Sequence, residues 1–277
     1  MTEVSVIIPT YNRARKVRAV SSVLSQTFTD YEIIVVDDAS YDGTGDSLAQ
    51  FKDSIRLISH PANRGVSAAR NSGIDSSQSP LVAFLDSDDH WLPEKLAVQV
   101  EFFKENPGAV ACQTDELWIR NGRRVNPGKK HLKLSGDIFE PSLKLCLVSP
   151  SAVMLKHSLF NEVGPFDEAL PVCEDYDLWL RISCQYPVHL IDRKLVVKEG
   201  GDPDQLSSSL KGMDRFRIRA MMKLLESGRL NGHQVRAVLR ELETKCRIYG
   251  EGCLKRGKEK EGRYYLKLPE SLKYKGF

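Results

Sequence analysis

The sequence predicts an α/β protein: a Rossmann-like, mixed but mostly parallel sheet flanked by helices, followed by a C-terminal helical appendage. Three observations carry this. Short apolar runs alternate with helical patterns from Val4 to Leu85, each run ends in polar or acidic residues, and beyond Asp214 the apolar spacing is helical throughout. The chain has 277 residues, enough for one large domain or a domain with an appendage. The change of pattern sets the expected division at 1–210 and 211–277.

Val4 to Ile8 reads as the first strand, broken by Pro9-Thr10-Tyr11-Asn12. Asn12 is a fitting cap for the next helix, whose buried side would hold Val17, Val20, Val23 and Leu24. Glu32 to Val36 is a second strand ending in Asp37-Asp38-Ala39-Ser40, and Asp42-Gly43 makes a turn. A helix through Leu48 and Phe51 leads to a short strand at Arg56 to Ile58. Asn63-Arg64-Gly65 is a loop before a helix from Ser67 to Ile74. Leu81 to Leu85 is a strand buried on both faces, which gives way at once to Asp86-Ser87-Asp88-Asp89. A helix from Pro93 to Asn106, with Pro93 in its first turn, and a strand from Ala109 to Gln113 come next. Asn121-Gly122 between apolar runs signals a hairpin. Residues 126–142 are rich in Lys, Gly and Pro without a period, and read as a mobile loop. Pro150 to Leu155 suits a strand, Glu174 to Tyr186 a helix, and Val188 to Ile191 and Lys194 to Val197 two late strands. Three helices fill the remainder, the last two faintly like a tetratricopeptide-type hairpin; a single copy does not make a repeat protein.

Composition is that of a soluble globular protein, 41% hydrophobic and 28% charged. No apolar stretch approaches the roughly 20 residues that span a bilayer. Nor does the N-terminus have the build of a signal peptide, so a cytoplasmic protein is expected. The six cysteines (112, 146, 173, 184, 246, 253) form no Cys-x-x-Cys pair and no zinc-like spacing with histidines, and read as reduced structural thiols. Charge is uneven: 22 Lys/Arg against 29 Asp/Glu in residues 1–210, and 18 against 8 in residues 211–277. A basic tail on an acidic body suits an anionic surface at the inner face of a membrane, a homodimer contact, or simply solvated helix faces. Nothing points to a nucleic-acid partner.

The chemistry concentrates where strands end. Ligands of open α/β sheets bind beyond the carboxyl ends of the strands, and one rim collects Tyr11, Asp37, Asp38 and the Asp86 to Asp89 group. Three carboxylates so close repel one another unless a cation lies among them, and a divalent ion is the usual solution. A solvated acidic turn would look the same in isolation. A nucleotidyltransferase would carry a Gly-rich basic loop after its first strand, and Pro9-Thr10-Tyr11-Asn12 is not one.

Five motifs in order resemble the inverting family 2 glycosyltransferases, which have the nucleotide-sugar-binding GT-A fold. They are Pro9-Thr10-Tyr11-Asn12-Arg13; Val36-Asp37-Asp38-Ala39-Ser40 with Asp42-Gly43-Thr44; Asn63-Arg64-Gly65 with Ala69-Arg70-Asn71; Phe84-Leu85-Asp86-Ser87-Asp88-Asp89; and Glu174-Asp175-Tyr176-Asp177-Leu178-Trp179-Leu180-Arg181. The resemblance spans roughly residues 4–205. It implies a transferase of polysaccharide biosynthesis that moves a sugar from a nucleoside diphosphate to an acceptor hydroxyl of a glycan or lipid-linked oligosaccharide. It further implies that Pro9, Tyr11, Asp38, Arg70 and Asp86 bind the nucleotide. Asp88 would hold Mn²⁺ or Mg²⁺, with Asp89 an alternative ligand, and Asp175 would be the base. Several family members carry a late His that joins the metal site, and it is missing near Lys198-Glu199-Gly200-Gly201. Either Glu199 or Asp202 replaces it as an oxygen ligand, or the first site and water alone hold the metal, whereas His189 reads as structural. The competing reading is a catalytically silent nucleotide-sugar-binding or scaffold protein on the same fold.

Overall fold

The structure is a computed structural model that describes residues 1–14, 17–201 and 212–274. Strand β1 (Val4–Thr10) pairs in parallel with β2 (Tyr31–Asp37) on one side and β4 (Leu81–Phe84) on the other, and β2 carries β3 (Arg56–Ser59) at the edge. The helices between them are α1 (Arg18–Leu24), α2 (Thr44–Ala49) and α3 (Val66–Ser76). Beyond β4 the sheet turns mixed. After β5 (His90–Trp91) and α4 (Lys95–Glu105) come β6 (Ala111–Arg120), β7 (Arg123–Val125), α5 (Phe139–Lys144) and β8 (Val153–Lys156). Helices α6 (Leu159–Val163) and α7 (Glu174–Ser183) lead to β9 (His189–Gly200). The strand order is β3-β2-β1-β4-β8-β6-β9-β5, with β7 paired to β6. The expected α/β sheet is therefore present, parallel in its first half and mixed in its second.

Strand alternation assigns the layers. Val4, Val6, Ile8, Leu81 and Ala83 face one apolar cluster, with Val20 and Val23 of α1 and Leu96 and Val100 of α4. Ile7, Val82 and Phe84 face the other, against Ile74, Phe160, Leu178, Trp179 and Ile182. Each such side chain taken out of water contributes about 1.5–3 kcal/mol. Helix α3 lies so close to the sheet that a Cβ on Gly73 would stand 2.4 Å from Ile7 Cγ2.

Several sequence expectations are corrected. Asn12 does not cap α1, which starts at Arg18; its backbone is left-handed (φ 53°) and its side chain accepts from the Tyr41 N–H. Leu24 is 39% exposed rather than buried. Helix α4 begins at Lys95, just beyond Pro93. Pro150–Ala152 is a 3-10 turn, and the strand proper is β8. The two late strands are one, because β9 continues past a register shift opposite Asp115. Residues 126–142 do not form a free loop: Lys133, Ile138 and Phe139 are anchored or buried, for reasons of long-range contact that local composition does not carry. The hairpin at Asn121-Gly122 is as expected, both residues having positive φ (50° and 71°).

At the C-terminus stand α8 (Asp214–Glu226), α9 (Gly232–Lys255) and α10 (Glu259–Tyr274). Asn231 caps α9 with a reciprocal box, accepting from the Gln234 N–H while Gln234 Oε1 accepts from its own. Helices α9 and α10 meet at two glycines; a Cβ on Gly250 or Gly262 would come within 2.8 Å of Leu266 or Leu254, respectively. These helices share one apolar cluster with Phe139 and Leu143 of α5 and Tyr176 and Leu180 of α7. Among the described residues no helix is long and apolar enough to cross a membrane. The expected boundary at 210/211 and Asp202 lie outside the described residues.

Candidate active site

The acidic stretch forms a tight turn between β4 and β5, closed by the Asp89 N–H on the Asp86 carbonyl at 3.0 Å. Ser151, wholly buried in the 3-10 turn beside it, fastens the turn: its Oγ accepts from the Asp86 N–H (3.1 Å) and donates to Asp89 Oδ2 (2.6 Å). Asp89 Oδ1 accepts from the Glu199 N–H of β9 at 3.1 Å. Asp89 is only 3% exposed, and burial pushes its carboxyl well above the usual range. Its two oxygens are thus engaged by Ser151 and by the β9 backbone, while the neighbouring Asp88 is partly exposed.

Arg70 of α3 ties this turn to the head of α7. Its Nη2 donates to Asp86 Oδ1 and its Nη1 to Glu174 Oε1, each at 2.7 Å, with the guanidinium 5.1 Å from the Phe166 ring centre. Burial works against that charge, but Asp86 and Glu174 hold it firmly protonated. Glu174 responds to burial and to Asp175 by rising to about 7, against the pull of Arg70. Arg70 is 3% exposed, and its two Nη atoms are engaged by these two acids.

Asp175 stands in the first turn of α7, where the helix dipole favours a carboxylate. Its Oδ1 accepts from the Tyr176 N–H (2.7 Å) and its Oδ2 meets Cys146 Sγ at 3.5 Å. The preceding Cys173 is left-handed (φ 63°), which turns the chain sharply into the helix.

On the β1–β2 side, Tyr11 is 39% exposed and packs edge-on to Tyr41 at 6.2 Å, with Pro9 buried in the strand before it. Asp38 faces inward instead: Oδ1 meets His60 Nδ1 (2.7 Å) and the Arg64 N–H (2.9 Å), and Oδ2 the Gly65 N–H (2.7 Å). It braces the Asn63-Arg64-Gly65 loop at 3% exposure. Glu199 is near the acidic turn as its sequence position suggested, but its carboxylate is engaged by Arg18 (2.6 Å) and lies 3.5 Å from His90 Nδ1.

A second charged layer lines β6 and β9. Glu116 accepts from Trp118 Nε1 (2.9 Å) and pairs with Lys133 (3.3 Å); burial alone would raise it, yet Lys133 and Lys198 hold it down to about 2. Lys198 Nζ reaches Ser149 Oγ at 3.3 Å. Ser151 and Cys146 escaped the sequence reading as members of the site, whereas Glu174 and Lys198 stood in its quoted stretches without a role of their own; Lys198 also closes the apolar run Leu195-Val196-Val197, as Asp86 closes its own.

Comparison with known proteins fits this geometry. The model of the family described as "Glycosyl transferase family 2" matches residues 5–164. The chain belongs to that family. Among similar proteins, an uncharacterised glycosyltransferase of Rickettsia conorii is 34% identical over 218 residues, 76% of this chain and 36% of the relative. The chain thus spans about a third of the length of that relative. The UDP-Glc:alpha-D-GlcNAc-diphosphoundecaprenol beta-1,3-glucosyltransferase WfgD of Escherichia coli is 34% identical over 184 residues, covering 65% of this chain and 69% of WfgD. The crystal structure of S. aureus TarS 1–349 in complex with UDP-GlcNAc superposes with a TM-score of 0.67 at 20% identity, over 90% of this chain and 71% of TarS 1–349. That likeness shows the fold, a mixed sheet of GT-A type.

Proposed function

We propose that the chain is a metal-assisted, inverting glycosyltransferase that moves a hexosyl group from a nucleoside diphosphate sugar to the hydroxyl of a glycan or lipid-linked acceptor. The observation that carries this reading is the Arg70 bridge, which holds the Asp86–Asp89 turn and the head of α7 in one site. The activity for which WfgD is named supports a nucleotide-sugar donor and a lipid-diphosphate acceptor, and the TarS complex a UDP-sugar.

Charge balance bears on the metal. Among the described residues Asp86 and Glu174 pair with Arg70, Glu116 pairs with Lys133, and Lys198 acts on Asp89; a diphosphate arriving beside these carboxylates would call for further positive charge. Among the described residues no three His, Cys, Asp or Glu side chains converge as a ready cage. Asp88 would be the oxygen ligand for Mn²⁺ or Mg²⁺, hard cations that take carboxylate oxygens. Such an ion would offset charge on the departing diphosphate, the task an acid performs in a hydrolase. Tyr11 would pack on the base, and Asp86, fixed by Arg70, would orient the ribose. Asp175 would take the acceptor's proton as the new bond forms on the opposite face of the sugar. The basic C-terminal helices would rest on an anionic membrane surface without insertion.

Calorimetry with UDP, GDP, dTDP and CDP, with and without Mn²⁺, tests the site. One nucleotide should bind in a metal-dependent way, and Asp88→Ala should abolish that dependence. Asp175→Asn should bind like wild type yet transfer about 10²–10⁴-fold more slowly from the matching sugar donor. Transfer by Asp175→Asn at the wild-type rate would remove the base assignment. Binding without any transfer by wild type would favour the silent scaffold.

A further inference from the structure

Lys198 is placed by contacts from three directions. Its own strand is fixed to the acidic turn, since the Glu199 N–H donates to Asp89 Oδ1 at 3.1 Å. Its ammonium meets Ser149 Oγ at 3.3 Å, and Ser149 lies two residues from Ser151, which holds Asp86 and Asp89. Ser149 is also three residues from Cys146, whose sulfur touches Asp175. On β6, Trp118 pairs with Lys198 in register and binds Glu116 through its indole N–H. The ammonium therefore lies close enough to Glu116, Asp89, Asp86 and Asp175 for their charges to act on it. Burial disfavours its charge, but Glu116, Asp89, Asp86 and Asp175 keep it protonated beyond the ordinary lysine range.

We infer that Lys198 is a donor-binding residue of this site, its ammonium meeting the diphosphate and offsetting the charge released there as the sugar bond breaks. The inference rests on the proposed function. In the step, the bond from the anomeric carbon to the diphosphate oxygen breaks with both electrons going to that oxygen. The acceptor oxygen bonds to the anomeric carbon as Asp175 takes its proton. Lys198 gives up no proton; it remains a fixed cation beside a leaving group whose charge grows as the bond breaks. An ammonium on a phosphate oxygen is a charge-assisted hydrogen bond, whose loss weakens binding about tenfold or more.

The test is calorimetric titration of UDP and uridine (or the nucleotide and nucleoside of whichever base wild type prefers) into wild type, Lys198→Met and Lys198→Arg, in Mn²⁺ and in EDTA. Lys198→Met should lose about tenfold or more in UDP affinity, most clearly in EDTA, while uridine binds as before and Lys198→Arg recovers most of the loss. Equal weakening of UDP and uridine would mean a structural prop and overturn the inference, as would unchanged UDP binding. Wild-type protein that binds no nucleoside diphosphate would sink the proposed function and this inference together. Binding by wild type that is unaltered in Lys198→Met would sink this inference alone.

Discussion

Arg70 sits 2.7 Å from two carboxylates that lie 16 and 104 residues away in the chain, and its Nε has no hydrogen-bond partner. Removing it leaves Asp86 and Glu174 side by side without compensation. Arg70→Met should therefore destabilise the protein by about 3–5 kcal/mol in chemical denaturation. Arg70→Lys should recover only part, because one ammonium cannot reproduce a two-pronged guanidinium. Unchanged stability in Arg70→Met would show that the bridge holds nothing. The places of Asp86 and Asp88 were legible in the sequence because they follow a strand, where chain order predicts a rim, whereas Asp175 was singled out only through the family motif it resembles. Ser151 was not, since a serine's meaning here depends on a turn 62 residues earlier. The inward aim of Asp38 was hidden for the same reason, its partners His60, Arg64 and Gly65 being supplied by a separate loop.

Helix α4 contains Lys95, fully buried, with its Nζ 3.8 Å from the centre of the Trp91 ring and without a hydrogen-bond partner. Burial lowers this lysine to about 7 from the ordinary 10.5. Below pH 7 both folded and unfolded chains carry the proton and the folded one bears the full penalty. Between about 7 and 10.5 the unfolded chain binds a proton that the folded chain does not, so stability rises with pH across that window. Lys95→Met should accordingly raise stability most near pH 6, by an amount on the order of a few kcal/mol. The gain should shrink as pH approaches 10, which thermal melts across that range would follow. A gain that grew with pH would refute the assignment. Strands β1, β2 and β4 were readable as apolar runs, and α7 from its period. The stretch 126–142 was not, because Lys133 is ordered by Glu116 and Gln113 of β6 rather than by anything local.

In the whole molecule, the C-terminal helices complete a core instead of hanging from one. Phe139, Tyr176 and Leu180, each 1% exposed, belong to the cluster that α8 to α10 cover. A chain cut after residue 210 should lose cooperative melting and elute as an aggregate in size-exclusion chromatography; a monomer with a sharp melt would contradict this. The change to helical spacing beyond Asp214 showed where those helices begin. What they cover was invisible, because a period reveals a sticky face and not its partner. The acidic turn has a consequence of another kind. Strands β4 and β5 stand four places apart in the sheet order, a span of about 19 Å were the sheet flat. Only the five residues from Leu85 to Asp89 separate them, and these fold into a turn rather than run straight. The connection is a short strap, and the sheet must curve to meet its reach. Its length is thus as constrained as its acidity, and an inserted or deleted residue would shift the carboxylates and slacken the curvature together.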